Sequence, residues 1–85
     1  MQSFTYTIKD EMGLHARPAG QMVKLIKSYP SQVTIRCGER SADGRKLFMI
    51  MAMAVNQGET VTVEVDGEGE EAQCGELLEF FKSNY

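Results

Sequence analysis

His15 is the only histidine in the chain, and it stands in the run Gly13-Leu14-His15-Ala16-Arg17-Pro18-Ala19. A neutral imidazole is a competent nucleophile near neutral pH. Arg17 adds a permanent positive charge and a planar fork that matches phosphate oxygens. The residues around them read as a loop giving way to a helix. A helix start leaves backbone N–H groups without internal partners, and with the helix dipole these groups form an anion site. Ala16 and Arg17 would supply the amides. Gly13 lets the backbone turn tightly and leaves room for a reactant. The chemistry that suits this constellation is phosphoryl transfer to an imidazole nitrogen. The product would be held by amides and Arg17, yet stay labile enough to pass on. The same residues would also suit a pocket that binds phosphate without reacting, and on the pattern alone a lone histidine at a helix start is more often a plain cap or surface residue than a reactive one.

The elements that must position these groups follow from hydrophobic periodicity. Phe4, Tyr6 and Ile8 alternate with Ser3, Thr5 and Thr7, which predicts a half-buried strand. A polar loop runs from Lys9 to Gly13. Ala19, Met22, Val23 and Ile26 fall at i, i+3, i+4 and i+7 and predict an amphipathic helix over 16–28. Pro18 lies in its first turn, where a missing N–H costs little, and Tyr29-Pro30 ends it. Val33, Ile35 and Cys37 alternate in a second strand. Gly38-Glu39 reads as a turn, a short third strand is expected at 40–42, and Asp43-Gly44 is a further turn signal. The apolar run 47–55 favours a short helix, with a strand as the alternative, and Gln57-Gly58 closes it. Val61, Val63 and Val65 form a clear strand that ends at Asp66-Gly67. The last helix is expected over 69–83, with Cys74, Leu77, Leu78 and Phe81 in register. Glu70, Glu71 and Lys82 are placed to complement its dipole. The order is β-α-β-β-α-β-α, which implies a two-layer α+β sandwich and one domain over residues 1–85.

Composition narrows the classes. The chain has 85 residues, 42% hydrophobic and 25% charged, as an ordinary soluble domain does. No apolar run approaches the roughly 20 residues that span a bilayer, and the alternating N-terminus does not resemble a signal peptide. Cys37 and Cys74 are too few for a disulfide framework, and free thiols in a reducing cytoplasm are expected. Two cysteines and one histidine make no convincing zinc site, so neither a metal nor a cofactor is expected. The net charge of −3 is unevenly spread. Residues 1–55 hold eight Lys and Arg against four Asp and Glu, net +4. Residues 56–85 hold one Lys against eight acids, net −7. A basic front half suits an acidic or phosphate-bearing partner. Nucleic acid is a weaker candidate, because the pI is about 5.0 and no basic block exceeds Arg45-Lys46.

The stretch 13–19 resembles the active-site signature of the HPr family, the histidine-containing phosphocarriers of the bacterial sugar phosphotransferase system. Length, element order, the motif's place after the first strand, and the apolar segment 47–55 with Gln-Gly behind it extend the resemblance along the whole chain. It implies an open-faced β-sandwich: a four-stranded antiparallel sheet with three helices on one side. It also implies that enzyme I donates a phosphoryl group to Nδ1 of His15, and that the A domain of a sugar-specific enzyme II receives it. Arg17 would shield charge in the transition state. Nine consecutive apolar residues cannot all enter so small a core, so Leu47, Phe48 and Met51 would leave an exposed patch. The resemblance implies that partners dock there, with Gly20, Lys24 and Lys27 at the rim. A carrier that must keep this face free is expected to be a monomer.

Two positions depart from the family pattern. Lys46 stands where the Gram-positive branch has a serine phosphorylated by a dedicated kinase, so that control should be absent. Met12 replaces a residue that is often small and polar, and a thioether cannot donate a hydrogen bond to phosphate. A divergent regulatory paralogue, phosphorylated on His15 but signalling outside transport, is therefore the alternative to a transport carrier.

Overall fold

A computed structural model describes residues 1–85. Valine alternation decides the middle of the sheet. Val61, Val63 and Val65 are fully buried on β4, Thr60–Asp66. This strand lies between β1, Gln2–Thr7, and β2, Gln32–Cys37; β3, Arg40–Asp43, forms the far edge. The order is β1-β4-β2-β3 and every neighbouring pair is antiparallel. Phe4 pairs with Val63 and Val63 with Ile35, so the apolar positions of three strands share one face. The other face carries Thr5, Thr7, Thr62, Glu64 and Arg36. Antiparallel sheets tolerate such a wet face. It is laced by the Thr7–Thr60 hydroxyl pair at 2.9 Å and by the Arg36–Glu64 pair at 2.8 Å.

Three helices cover the apolar face. Helix α1, Ala16–Lys27, buries Pro18, Ala19, Met22, Val23 and Ile26, the stripe its spacing predicts. Helix α3, Glu70–Asn84, buries Cys74, Leu77 and Phe81. The Phe81 ring meets Phe4 and Tyr6 edge-on, with centroids 5.6 and 5.8 Å apart. Both cysteines are free and buried, and no helix is long and apolar enough to cross a membrane.

Helix α2 is shorter than the apolar run suggests. It spans Leu47–Ala52 rather than extending to residue 55. Ala54 adopts a left-handed conformation, φ +50°, and its N–H bonds the Met51 carbonyl. Met53 before it and Val55 after it both enter the core. Apolar composition could not reveal this stop, because the terminator is an alanine where a glycine is the usual signal.

Arg45 fastens the turn before α2 to the rest of the molecule. Its Nη2 donates to the carbonyls of Tyr29 and Ser31, each at 2.7 Å. The hydroxyls of Tyr29 and Ser31 in turn donate to Glu76 and Gln73 of α3. The charge of Arg45 therefore serves the scaffold, whereas Lys46 beside it is exposed.

Candidate phosphoryl site and docking face

His15 is the N-cap of α1, with extended backbone at φ −81° and ψ 166°. Its carbonyl accepts the first helical bond, from Ala19 at 3.2 Å. Pro18 has no N–H to offer. The amides of Ala16 and Arg17 donate to no protein carbonyl, which leaves two oriented donors beside the imidazole. The His15 side chain is half-buried and Arg17 is exposed, so the ring is fixed on one side and reachable on the other.

The loop behind His15 is built tightly. Gly13 sits at φ +67°, and a Cβ there would lie 2.3 Å from the Val55 carbonyl oxygen. That same oxygen accepts the Leu14 N–H at 3.0 Å. Only glycine allows this approach, so the need for Gly13 is closer packing than a turn alone would impose. The amides of Lys9 and Asp10 both donate to the Tyr85 carbonyl, at 2.6 and 2.9 Å. The Tyr85 ring, buried beneath, meets the His15 ring edge-on at 6.2 Å. Burial, with Asp10 nearby, pushes the Tyr85 phenol pKa well above its ordinary value.

A small polar depression surrounds the imidazole. Asp10, Arg17, Gln21, Ser83 and Asn84 line it with His15 and Pro18. Asp10 Oδ2 lies 3.4 Å from His15 Nε2. The sequence alone does not single out Asp10, Gln21, Ser83 or Asn84. Gln21 carried a usable signal, since it follows Arg17 by one helical turn and shares its face. Ser83 and Asn84 carried none, because only the fold brings the end of α3 to this loop. Met12 is exposed, and its amide is occupied by Asp10 Oδ1 at 2.8 Å.

A second concavity lies between α1 and α2. Gly20, Lys24 and Lys27 line one wall; Lys46, Leu47 and Phe48 line the other. Phe48 is 89% exposed. The expectation for Met51 needs correction. Leu47 and Met51 are both half-buried and pack against the core; Leu47 still lines the groove, and Met51 does not. Met49 is the exposed methionine that lines it. The apolar run shows that some residues must remain outside. Which ones depends on the phase of a six-residue helix and on where it stops.

The comparisons with known proteins agree with this frame. The family model "PTS HPr component phosphorylation site" matches residues 2–83. The phosphocarrier protein HPr of Haemophilus influenzae is 42% identical over 66 residues, 78% of each chain. A histidine-containing phosphocarrier protein from Mycoplasma superposes with a TM-score of 0.93 at 28% identity, covering 96% of this chain and 93% of its own. An HPr dimer from Thermoanaerobacter tengcongensis gives a TM-score of 0.75 at 30% identity, with 98% and 95% covered. With the family model spanning nearly every residue and the four-stranded sheet and three helices in the same order, the chain belongs to the HPr family, the phosphocarriers of the phosphotransferase system.

Proposed function

We propose that this protein takes a phosphoryl group on Nδ1 of His15 from phosphorylated enzyme I and delivers it to the A domain of a sugar-specific enzyme II. One observation carries the reading: the chain's only histidine caps α1 beside two unpaired amides and the exposed Arg17. In the accepting step the Nδ1 lone pair attacks phosphorus as the donor's bond to phosphorus breaks. The electron pair of that bond returns to the donor. The amides of Ala16 and Arg17, with the Arg17 guanidinium, receive the negative oxygens, and preorganised donors of this kind need no rearrangement as charge develops. The groove with Phe48, Met49 and the lysines is the docking face, and it suits partners with an acidic, partly apolar surface. The protein works in the cytoplasm, where Cys37 and Cys74 remain thiols, and acts as a monomer so that this face stays free.

The test is incubation with enzyme I and labelled phosphoenolpyruvate. One acid-labile, base-stable phosphate per chain is expected, and none in His15→Ala. No label on the unaltered chain would overturn the proposal. Lys46 and Met12 favour a second reading, the regulatory paralogue. Adding enzyme II and its sugar separates the two: a transport carrier loses its label rapidly to sugar, and a signalling paralogue keeps it.

A further inference from the structure

We infer that Asp10 is a positioning residue that holds the proton of the His15 ring on Nε2, so that Nδ1 keeps its lone pair for phosphorus. The inference rests on the carrier reading above and adds to it the control of the ring's tautomer. Asp10 is itself held in place. Its N–H donates to the Tyr85 carbonyl, its carbonyl accepts the Gly13 N–H at 2.9 Å, and its Oδ1 accepts the Met12 N–H at 2.8 Å. These bonds leave Oδ2 free, and Oδ2 is the oxygen 3.4 Å from Nε2. An ionised carboxylate can only accept a proton bond, so it favours the tautomer with hydrogen on Nε2. At 3.4 Å the pair is an electrostatic contact and not a formed hydrogen bond, and the negative charge of Oδ2 favours hydrogen on the ring nitrogen that faces it.

The same proton matters on the way out. Onward transfer breaks the Nδ1–P bond, and the electron pair returns to Nδ1. With hydrogen retained on Nε2 the ring departs as a neutral imidazole. Without it the leaving group would be an imidazolate, a far worse one. Phosphorus passes to the acceptor, and the Nε2 proton stays opposite Asp10 throughout.

A plain structural role, with Asp10 serving only the turn to Met12, makes a different prediction. Asp10→Asn separates the two. The asparagine carbonyl can still accept the Met12 N–H at the Oδ1 position, which puts the NH₂ group against Nε2. That donor requires a lone pair on Nε2 and drives the proton to Nδ1, the wrong tautomer for transfer. The measurement is the pair of imidazole ¹⁵N shifts of His15 in the neutral, unphosphorylated protein, followed by the rate of labelling with enzyme I. The expected result is hydrogen on Nε2 in the unaltered chain, a shift toward Nδ1–H in Asp10→Asn, and labelling slowed by about tenfold or more. Asp10→Glu, which restores a carboxylate, should restore the Nε2–H tautomer at least in part.

Hydrogen on Nδ1 in the unaltered chain would overturn the inference. So would an Asp10→Asn chain with unchanged ¹⁵N shifts, or one whose slower labelling merely tracks its unfolded fraction in urea. The ¹⁵N arm needs no phosphate, so its failure is distinct from that of the carrier reading, which His15→Ala decides.

Discussion

Arg17 occupies the first turn of α1 with its side chain in water, so its charge is available to phosphate and contributes little to packing. Arg17→Ala should therefore slow phosphoryl transfer by about 100-fold, the scale of removing one preorganised transition-state donor. Stability should change by no more than about 0.5 kcal/mol, as for surface substitutions. Labelling kinetics beside a urea melt check both halves, and a large loss of stability would mean that Arg17 is part of the scaffold. At this scale the pair His15 and Arg17 is legible in the sequence because two residues of spacing suffice to place both at a helix start. Asp10 is not legible in that way. Its reach to the imidazole depends on a turn closed by its own carboxylate and on the Tyr85 carbonyl brought from the opposite end of the chain. The turn is a local one that an aspartate before a loop can signal, but local spacing holds no record of the Tyr85 contact.

Periodicity serves well for elements whose faces are consistently wet or dry. The three buried valines of β4 and the stripe of α1 each specify one phase, and the observed elements keep it. Helix α2 has no such contrast, because residues 47–55 are apolar on every side. Its length is set instead by Ala54, whose positive φ ends it. A left-handed alanine crowds its Cβ against the following carbonyl, at a cost of about 1–2 kcal/mol. Ala54→Gly removes that strain, while the greater freedom of glycine in the unfolded chain offsets part of the gain. The expected net effect is a stabilisation of about 0.5–1 kcal/mol, read as a higher urea midpoint at unchanged slope. A lower midpoint would show that the left-handed turn after α2 is not the conformation held in solution.

Across the whole molecule, charge is separated by chain position and by the use each charge is put to. Four of the front half's cations have defined duties. Arg36 and Arg40 pair with Glu64 and Glu59, Arg45 holds backbone carbonyls, and Arg17 lines the depression around His15. Lys24, Lys27 and Lys46 remain exposed along the groove that also presents Phe48. Lys46 lines the groove with Lys24 and Lys27, so this face keeps a positive sign. Long-range attraction of this kind acts mainly on encounter with an acidic partner. Lys46 lines the groove and not the depression around His15, so reversing it should leave the chemical step alone. On the proposed carrier reading, Lys46→Glu is expected to raise the KM of phosphorylated enzyme I for this protein by about fivefold at low salt with kcat unchanged, the pattern of lost uniform binding. In about 1 M salt, where the screening length falls to about 3 Å, the two proteins should converge. A kcat that falls with KM unchanged would place Lys46 in the transfer step itself. A KM difference that survives high salt would mean that the lysine acts through packing, and the docking face would then owe its selectivity to Phe48 and Met49 more than to its charge.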